Sequence, residues 1–583
     1  MRNRRGNALV VLLAVLLIFT GGLVAHLVQT DHGNVRVGQV RISAADGRIV
    51  NARLYRPLRA TPDSPAPAVL AVHGYLNSEG AQAPYAIELA RRGYVVLAID
   101  QPGHGYSDGP AFAGGFGGID ALAYLRSLAY VDLDQIVLSG HSMGGWAALA
   151  AAAAFPEGYQ AVVISGSSTG TFGVPDGTPE FPRNLALVYG ALDEFSELMW
   201  GSPTGARITT TTKLQTLFGT AEPVRPGAVY GSTEDGTARV LHMPEQTHAM
   251  NHITIAGVAP VIDWAQRTTA APFPLDARDQ VWMWRELGTG LGLLGFVLAL
   301  FGISSALLGA PAFARLRLRT PHAAGLSGLA WWFGAALAAA VPPATYFWAT
   351  REAAERLSVS RLLPQPVTNE IMGWALLNAG ISLVLLLLWW IVSGRRRGAG
   401  VDSLGLPVGG IFHALVFALL VVGGAHALLA LVDGLFQADF RAWVVAQKLL
   451  SQSQAFIALG YLLPFTLFFL VLGMVLHAQL RPSGSRTEGA DAMIANALIA
   501  AGGFVVLLLV QYYPLFMGQP LTVPEPLRTI VAYELVVLLP VAAMVSTYLF
   551  ARTGSVWPGA FVNGFWITAY LVAGQATHVS IAF

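Results

Sequence analysis

The chain of 583 residues contains no cysteine, and charged residues make up only 12% of it. The absence of cysteine excludes disulfide bonds, zinc–thiolate sites and thiol nucleophiles. Soluble domains average roughly 25% charged residues, so the shortage of charge indicates that lipid surrounds much of the chain. The net charge of +1 offers no basic footprint for nucleic acid. What the chain has in abundance is apolar residues, at 54%.

The first of the long apolar runs lies near the N-terminus, at about 8–28, behind three arginines at positions 2, 4 and 5. A run of about 20 apolar residues is long enough to cross ~30 Å of hydrocarbon. No convincing cleavage site for a secretory signal peptide follows it. We therefore predict that residues 1–34 are a cytoplasmic start and a membrane anchor, with the arginines on the cytoplasmic side.

Residues 35–270 have a different composition, in which short β-rich runs alternate with amphipathic stretches. This alternation predicts a mostly parallel sheet of eight strands covered by helices on both faces, followed by a linker at 271–286. The predicted strands are 35–43, 48–56, 68–73, 94–100, 135–139, 161–165, 185–190 and 238–242.

Residues 287–583 are nearly all apolar and are predicted to form a helical membrane domain with about eight spans. The predicted spans are 287–309, 323–349, 370–393, 405–432, 456–478, 490–513, 527–551 and 556–580. Segment 434–455 mixes apolar with charged residues, which indicates an amphipathic stretch at the outer membrane interface.

Basic residues give the expected orientation of these spans. Arginines at 315–319, at 395–397 and at positions 481 and 486 fall in alternate loops. If the N-terminus is cytoplasmic, all three loops are cytoplasmic as well, and the domain at 35–270 lies outside the cytoplasm. The arginines at 351, 356 and 361 are the exception, because this arrangement puts them outside.

A candidate nucleophile stands in the segment Gly140-His-Ser142-Met-Gly144, directly after a predicted strand and before an alanine-rich helix. The pattern G-x-S-x-G is weak alone, but it is specific in a strand–turn–helix context. Such a tight turn exposes the Ser142 hydroxyl and needs small residues two positions away. The Met143 N–H then lies at a helix N-terminus, where it stabilises an oxyanion. The alternative is an ordinary glycine-rich turn.

Two loops that follow earlier strands add to this site. In His73-Gly-Tyr75 the backbone N–H of Tyr75 is the candidate for the second oxyanion donor, whereas His73 is expected to be structural. The loop 100–109 follows the next strand and is expected to shape the site, with Asp108 a less favoured candidate for a triad acid.

These three segments resemble the α/β-hydrolase superfamily in their order and spacing, over about residues 35–270. The resemblance implies a triad in the chain order serine, acid, histidine. The acid that follows the next-to-last strand is then Asp193, with Glu194 as the alternative. The base that follows the last strand is then His248, with His252 as the alternative.

The resemblance also implies a mechanism, in which His248 takes the Ser142 proton, Ser142 attacks an acyl carbonyl and Asp193 orients His248. No metal and no organic cofactor is expected, and the expected partners are an acyl or other small-molecule substrate and the lipid bilayer, not nucleic acid. Only about 19 residues separate the strands at 161–165 and 185–190. The predicted domain is therefore nearly lidless.

The leading interpretation is thus a membrane-anchored serine hydrolase that cleaves ester or related acyl bonds. The alternative is a transporter-like or sensor membrane protein whose hydrolase domain is a binding or accessory module. An aqueous cavity lined by Glu534, Asn496 and Asn563 would favour that alternative. Since the last helix of the domain should end opposite the site, we expect the mouth of the site to point away from the bilayer.

Overall fold

The computed structural model describes residues 2–400, 402–482 and 489–580, with side chains described from Ala8 onward. The chain starts with helix α1 (Arg2–Gln29). Its part from Ala8 is long and apolar enough to cross a membrane. Arg486 and the side chains of the three N-terminal arginines lie outside the described residues, so their part in the predicted orientation is not tested.

A nine-stranded sheet forms the centre of the domain that follows α1. Its strands are β1 (Val35–Ser43), β2 (Ile49–Pro57), β3 (Ala66–Val72), β4 (Val95–Ile99), β5 (Val131–His141), β6 (Ala161–Ser165), β7 (Leu185–Val188), β8 (Val229–Tyr230) and β9 (Arg239–His242). The order across the sheet is β1-β2-β4-β3-β5-β6-β7-β9-β8. The six strands from β4 to β9 in that order run parallel, whereas β1, β2 and β8 pair antiparallel at the two edges.

The central strands consist of apolar residues that are buried on both faces of the sheet, as parallel strands require. The covering helices are α2 (Ala83–Arg91), α3 (Ala113–Phe116), α4 (Gly118–Arg126), α5 (Met143–Ala154), α6 (Ser196–Trp200), α7 (Thr212–Phe218) and α8 (Ile255–Thr268). This architecture confirms the predicted fold and its eight strands. The ninth strand, β8, has two residues and is too short for a periodic pattern.

Eight long helices form a bundle after this domain. They are α9 (Trp282–Gly309), α10 (Leu329–Arg356), α11 (Pro366–Trp389), α12 (Ile411–Phe436), α13 (Gln452–Met474), α14 (Ala490–Phe516), α15 (Pro526–Thr553) and α16 (Trp557–Gly574). Across the described residues, seven helices including α1 are long and apolar enough to span a membrane. The two that fall short are α10, whose apolar stretch contains Pro342 and Pro343, and α16, whose residues include Pro558 and Asn563 and which packs inside the bundle.

Helix α1 packs antiparallel on α9 through glycines that bring the two backbones close together. A Cβ atom at Gly288 would lie 2.6 Å from the Gly21 carbonyl oxygen, and one at Gly295 would lie 2.9 Å from that of Ala14. Small residues at such an interface allow the close packing that joins helices in lipid. The start of α1 therefore lies at the same end of the bundle as the end of α9.

The loops after α9, α11, α13 and α15 meet at this same end. Arg397 donates to the Gly325 carbonyl at 2.6 Å, and Arg481 donates to the Pro321 carbonyl at 2.6 Å. The backbone N–H of Leu318 donates to Thr553 at 3.2 Å. The three basic loops are thus gathered at the end of the bundle that lies opposite the sheet domain.

The segment 434–455 is not an amphipathic stretch on the outer surface, and that expectation was wrong. It contains a hairpin of β10 (Phe440–Ala442) and β11 (Val445–Gln447) that lies between the bundle and the sheet domain. Arg441 is buried, and its guanidinium bonds Asp439 at 2.7 Å and Ser78 of the sheet domain at 3.3 Å. Asp439 and Arg441 thus pair with each other, and Arg441 bonds Ser78 across the junction.

Candidate active site

Ser142 lies in a tight turn between β5 and α5, with a φ of 54° that non-glycine residues rarely adopt. The flanking glycines are required by the close packing of the turn. A Cβ atom at Gly140 would lie 2.0 Å from the Gly144 carbonyl oxygen, and one at Gly144 would lie 2.0 Å from that of Val72. The turn is held by the backbone N–H of Ser142, which donates to Ser165 at 2.8 Å. The strand–turn–helix geometry is that of a nucleophile elbow.

His248 follows β9 and lies against Asp193, which follows β7. The Nδ1 atom of His248 is 2.9 Å from Asp193 Oδ2 and 3.0 Å from Oδ1. Asp193 is fully buried, and its carboxylate also accepts the backbone N–H of Phe195 at 2.9 Å and the Asn251 amide at 3.3 Å. Among the described residues, the hydrogen bonds that orient the His248 ring run to Asp193, and none joins the ring to the Ser142 hydroxyl.

The protonation equilibrium of His248 follows from these contacts. Burial by itself lowers the pKa of His248, because it disfavours the charged ring. The charge of Asp193 and its hydrogen bond raise the pKa by more, so that it lies above its usual value. An imidazole in this state is stabilised in its charged form, as a general base needs to be after it has taken a proton.

Glu194, the alternative acid, is buried beside Asp193 but contacts a different part of the histidine. Its Oε2 atom accepts the backbone N–H of His248 at 2.6 Å, and its Oε1 atom accepts the Tyr512 hydroxyl of α14 at 2.5 Å. Burial and the neighbouring Asp193 raise the pKa of Glu194 to about 7. Glu194 therefore ties the histidine loop to the helical bundle instead of orienting the ring.

In the part of the chain that the structure describes, the other histidines near the site have no carboxylate partner. His252, the alternative base, lies 4.5 Å from the His141 ring, and burial lowers its pKa to about 3. His73 donates from Nδ1 to the Gly74 carbonyl at 2.6 Å and accepts the backbone N–H of Gln101 at 3.0 Å. This arrangement agrees with the expected structural role of His73.

The residues of the two candidate oxyanion donors follow neighbouring strands of the sheet. Met143 is the first residue of α5, directly after β5 and Ser142. Tyr75 follows β3, which is the neighbour of β5 in the sheet. Both residues line the same cavity as Ser142 and His248. Asp108, by contrast, accepts the backbone N–H of Ile49 at 2.8 Å and fixes the loop 100–109 to β2.

A cavity of about 400 Å³ lies between the sheet domain and the bundle, and it contains this site. We call its sheet-domain side the floor, with Ser142 and His248 at its centre. We call its bundle side the roof, which consists of Val367 and Glu370 on α11 and of Leu527, Ile530, Val531 and Glu534 on α15. Val444 of the hairpin and His578 near the C-terminus complete the lining.

The mouth of the site therefore does not point away from the bundle, and that expectation was wrong. The linker after α8 turns back along α2 instead of leading away from the far end of the domain. Arg92 donates to the carbonyls of Asp276 and Asp279, and Glu88 accepts the backbone N–H groups of Val281 and Trp282. Helix α9 thus begins beside the domain, and the bundle covers the site.

The polar residues that would have favoured a transport pathway make separate contacts. Glu534 lines the roof of the hydrolase site. Asn496 bonds the Thr547 hydroxyl at 2.9 Å, and Asn563 bonds the Ala542 carbonyl at 2.8 Å. Both asparagines thus donate hydrogen bonds to a neighbouring helix, α15.

Sequence reasoning missed the roof and Tyr512. Four of the roof residues are ordinary apolar positions in helical spans, and nothing in the sequence indicated that Glu370 and Glu534 face the site. Tyr512 resembles an interfacial aromatic. The residue pair Tyr512 and Glu194 is separated by 318 positions. Without a family alignment, no signal in the sequence joins them.

A protein family and two curated proteins match part of this chain in sequence. Residues 67–197 match a protein family described as "alpha/beta hydrolase fold", a stretch that includes Ser142 and Asp193 and ends before His248. The chain is 33% identical over 141 residues to a monoacylglycerol lipase of Mycolicibacterium smegmatis, which covers 23% of this chain and 48% of the relative.

A second relative is a 2-hydroxy-6-oxononadienedioate/2-hydroxy-6-oxononatrienedioate hydrolase of Cupriavidus pinatubonensis. It is 35% identical over 82 residues, which cover 14% of this chain and 28% of the relative. The chain thus spans less than half the length of either curated relative. A solved structure, "Bacterial Heroin Esterase", is 16% identical with a TM-score of 0.31, covering 45% of this chain and 88% of that one.

The family match covers strands β3 to β7, the turn at Ser142 and Asp193, and the sheet has the strand order described above. The residues outside the match include the bundle, whose apolar helices are typical of a membrane protein. This chain therefore contains a domain with the α/β-hydrolase fold, followed by a bundle of helices of which most are long and apolar enough to span a membrane.

Proposed function

We propose that this protein is a membrane-anchored serine hydrolase that cleaves ester or related acyl bonds through Ser142, His248 and Asp193. The observation that carries the proposal is the hydrogen bond from His248 Nδ1 to the buried Asp193 carboxylate at 2.9 Å, in the same cavity as Ser142. The tight turn at Ser142, with its positive φ, supports the assignment of this residue as the nucleophile.

In the first half of the reaction, His248 accepts the proton of the Ser142 hydroxyl while Ser142 Oγ attacks the acyl carbonyl. The backbone N–H groups of Met143 and Tyr75 stabilise the negative charge that develops on the carbonyl oxygen. His248 then gives its proton to the leaving alcohol, and an acyl-enzyme forms. A water molecule activated by His248 releases the acid and restores Ser142.

The membrane arrangement of the proposed enzyme has the N-terminus in the cytoplasm and the hydrolase domain outside it. The three basic loops at the end of the bundle opposite the sheet domain support this orientation, because basic loops favour the cytoplasmic side. Arg351 and Arg356 are at the other end, where each pairs with a glutamate. Because each of these arginines is paired with a glutamate, their place outside the cytoplasm argues less strongly against this orientation.

Labelling with a fluorophosphonate probe tests this proposal. Wild-type protein, Ser142→Ala and Ser127→Ala are compared, since Ser127 is an exposed serine at the end of α4. We expect covalent labelling of the wild type and of Ser127→Ala, and none of Ser142→Ala. An impermeant probe should label intact cells if the domain is outside. A folded wild-type protein that does not react would contradict the nucleophile, and labelling only after lysis would contradict the orientation.

A further inference from the structure

The cavity extends well beyond the atoms of the proposed triad. Its volume of about 400 Å³ is within the range of roughly 300–1,000 Å³ that small-molecule sites occupy. It reaches from Ser142 to α15, where its lining runs from Leu527 to Glu534, seven residues later. At a rise of ~1.5 Å per residue, the cavity runs about 10 Å along that helix. The space is therefore deep and leads from the triad into the bundle.

Aromatic side chains form one wall of this space. Tyr75 stacks on Phe112 with ring centres 5.9 Å apart, and Phe112 stacks on Phe172 at 6.2 Å. Trp146 lies 4.6 Å from Phe172. Phe172 and the nearby cavity residue Leu198 are 57% and 50% exposed. Apolar side chains that are grouped and exposed in this way mark a surface for an apolar ligand.

The roof is also mostly apolar, and its position in the bundle indicates its level relative to the membrane. Val367, Leu527, Ile530 and Val531 belong to the first turns of α11 and α15, where these apolar helices begin. In a membrane, the first turns of a spanning helix lie at the boundary between head groups and hydrocarbon. An ester in an amphiphilic molecule lies at this same level, between its chain and its polar group.

We propose that the substrate is a long-chain acyl ester taken from the adjoining membrane leaflet, with its hydrocarbon chain held between the floor and the roof. This inference rests on the proposed function. The bond that forms joins Ser142 Oγ to the acyl carbon, and the ester C–O bond breaks with transfer of a proton from His248 to the leaving alcohol. Hydrolysis of the acyl-enzyme then releases a long-chain carboxylic acid. The bundle acts as the lid that the short segment after β6 does not provide.

The experiment uses the full chain reconstituted in nanodiscs and a series of p-nitrophenyl esters from acetate through octanoate to laurate. We compare wild type with Ile530→Trp, which fills the roof. The matched control is Val537→Trp on the same helix, because Val537 is exposed and does not line the cavity. We expect kcat/KM to rise with chain length in the wild type. Ile530→Trp should lower the laurate value by about tenfold or more and the acetate value by about twofold or less, because only a long chain reaches the roof.

A second arm distinguishes a membrane source from a dissolved amphiphile. A fluorogenic long-chain ester is supplied either embedded in phosphatidylcholine vesicles or as monomers below its critical micelle concentration. Efficient hydrolysis from vesicles supports the proposal, and hydrolysis of the monomer alone overturns it. Equal loss of acetate and laurate hydrolysis in Ile530→Trp, or the same loss in Val537→Trp, also overturns it. A protein that neither hydrolyses acetate nor reacts with fluorophosphonate would instead contradict the proposed function itself.

Discussion

The floor and the roof of the cavity are built in different ways. The floor is polar at its centre, and its groups are fixed by short hydrogen bonds, by a strained turn at Ser142 and by the buried Asp193. The roof is mostly apolar side chains on the first turns of α11 and α15. Glu370 of the roof pairs with Arg528 at 2.8 Å. The difference indicates that the floor carries the chemistry and that the roof selects and holds the substrate.

Asp193→Asn tests the floor most strongly. Loss of the carboxylate should lower kcat/KM for every ester by about 10⁴-fold, because it stabilises the charged His248 ring and fixes its orientation. The base must be neutral to act, so wild-type activity should rise with pH through a pKa above the usual histidine value. In Asp193→Asn this rise of activity should occur at lower pH, because the charge that raises the pKa of His248 is removed. The comparison variant is Glu194→Gln, and a larger loss there than in Asp193→Asn would make Glu194 the acid.

Arg53→Met tests what joins the floor to the bundle. Arg53 pairs with Glu79 at 2.8 Å, and both are buried, while its guanidinium also bonds the Gln437 carbonyl of the bundle at 2.6 Å. Breaking a buried pair by removing one partner costs about 3–5 kcal/mol. We therefore expect a clear fall in the thermal unfolding temperature of the purified protein.

The control for this change is Arg356→Met. Arg356 forms an exposed pair with Glu352, and such pairs contribute about 0–1 kcal/mol. Its unfolding temperature should stay close to that of the wild type. If Arg53→Met and Arg356→Met unfold at the same temperature, the buried charges do not hold the two halves together.

Tyr512→Phe tests whether the bundle also helps to position the floor. The variant leaves the buried Glu194 carboxylate without the hydroxyl that bonds it, which costs about 1–3 kcal/mol. We expect kcat to fall several-fold and the acid limb of the pH profile to move, because Glu194 holds the His248 backbone. Tyr513→Phe, at the adjacent and exposed position, is the control. Unchanged kcat and pH profile in Tyr512→Phe would mean that this contact is only structural.

Of the variants in the floor, His252→Gln should have the smallest effect. This side chain has no carboxylate partner among the described residues, and burial lowers its pKa to about 3, which keeps it neutral. We expect kcat/KM to change by about threefold or less, whereas removal of a general base costs about 10²–10⁴-fold. Steady-state assays with p-nitrophenyl acetate are sufficient. A loss comparable with that in His248→Gln would identify His252 as a second essential base.

Much of the floor could be predicted from the sequence because its signals are local. The turn at Ser142 needs glycine on both sides within five residues, and central parallel strands are continuous apolar runs. The chain order of the superfamily then pointed to Asp193 and His248, which the structure brings together at 2.9 Å. Their catalytic roles stay predictions.

The roof could not be predicted in this way because it depends on contacts between distant parts of the chain. Ile530 and Tyr512 follow the same apolar pattern as neighbours that face lipid. The hairpin at 440–447 was also missed, because the burial of Arg441 depends on Asp439 beside it and on Ser78 in a distant part of the chain. The direction of the site depends on how the linker folds back along α2, which no local pattern reports.

A photoreactive fluorophosphonate with a long alkyl chain tests the shared cavity most directly. The phosphonate is first allowed to react with the protein in nanodiscs. A diazirine near the end of the chain is then activated, and the cross-linked peptides are identified by mass spectrometry. We expect phosphonate on Ser142 and cross-links to the first turns of α11 or α15, which include Val367 and Ile530. Phosphonate on Ser142 with cross-links confined to peptides of the sheet domain would contradict the account.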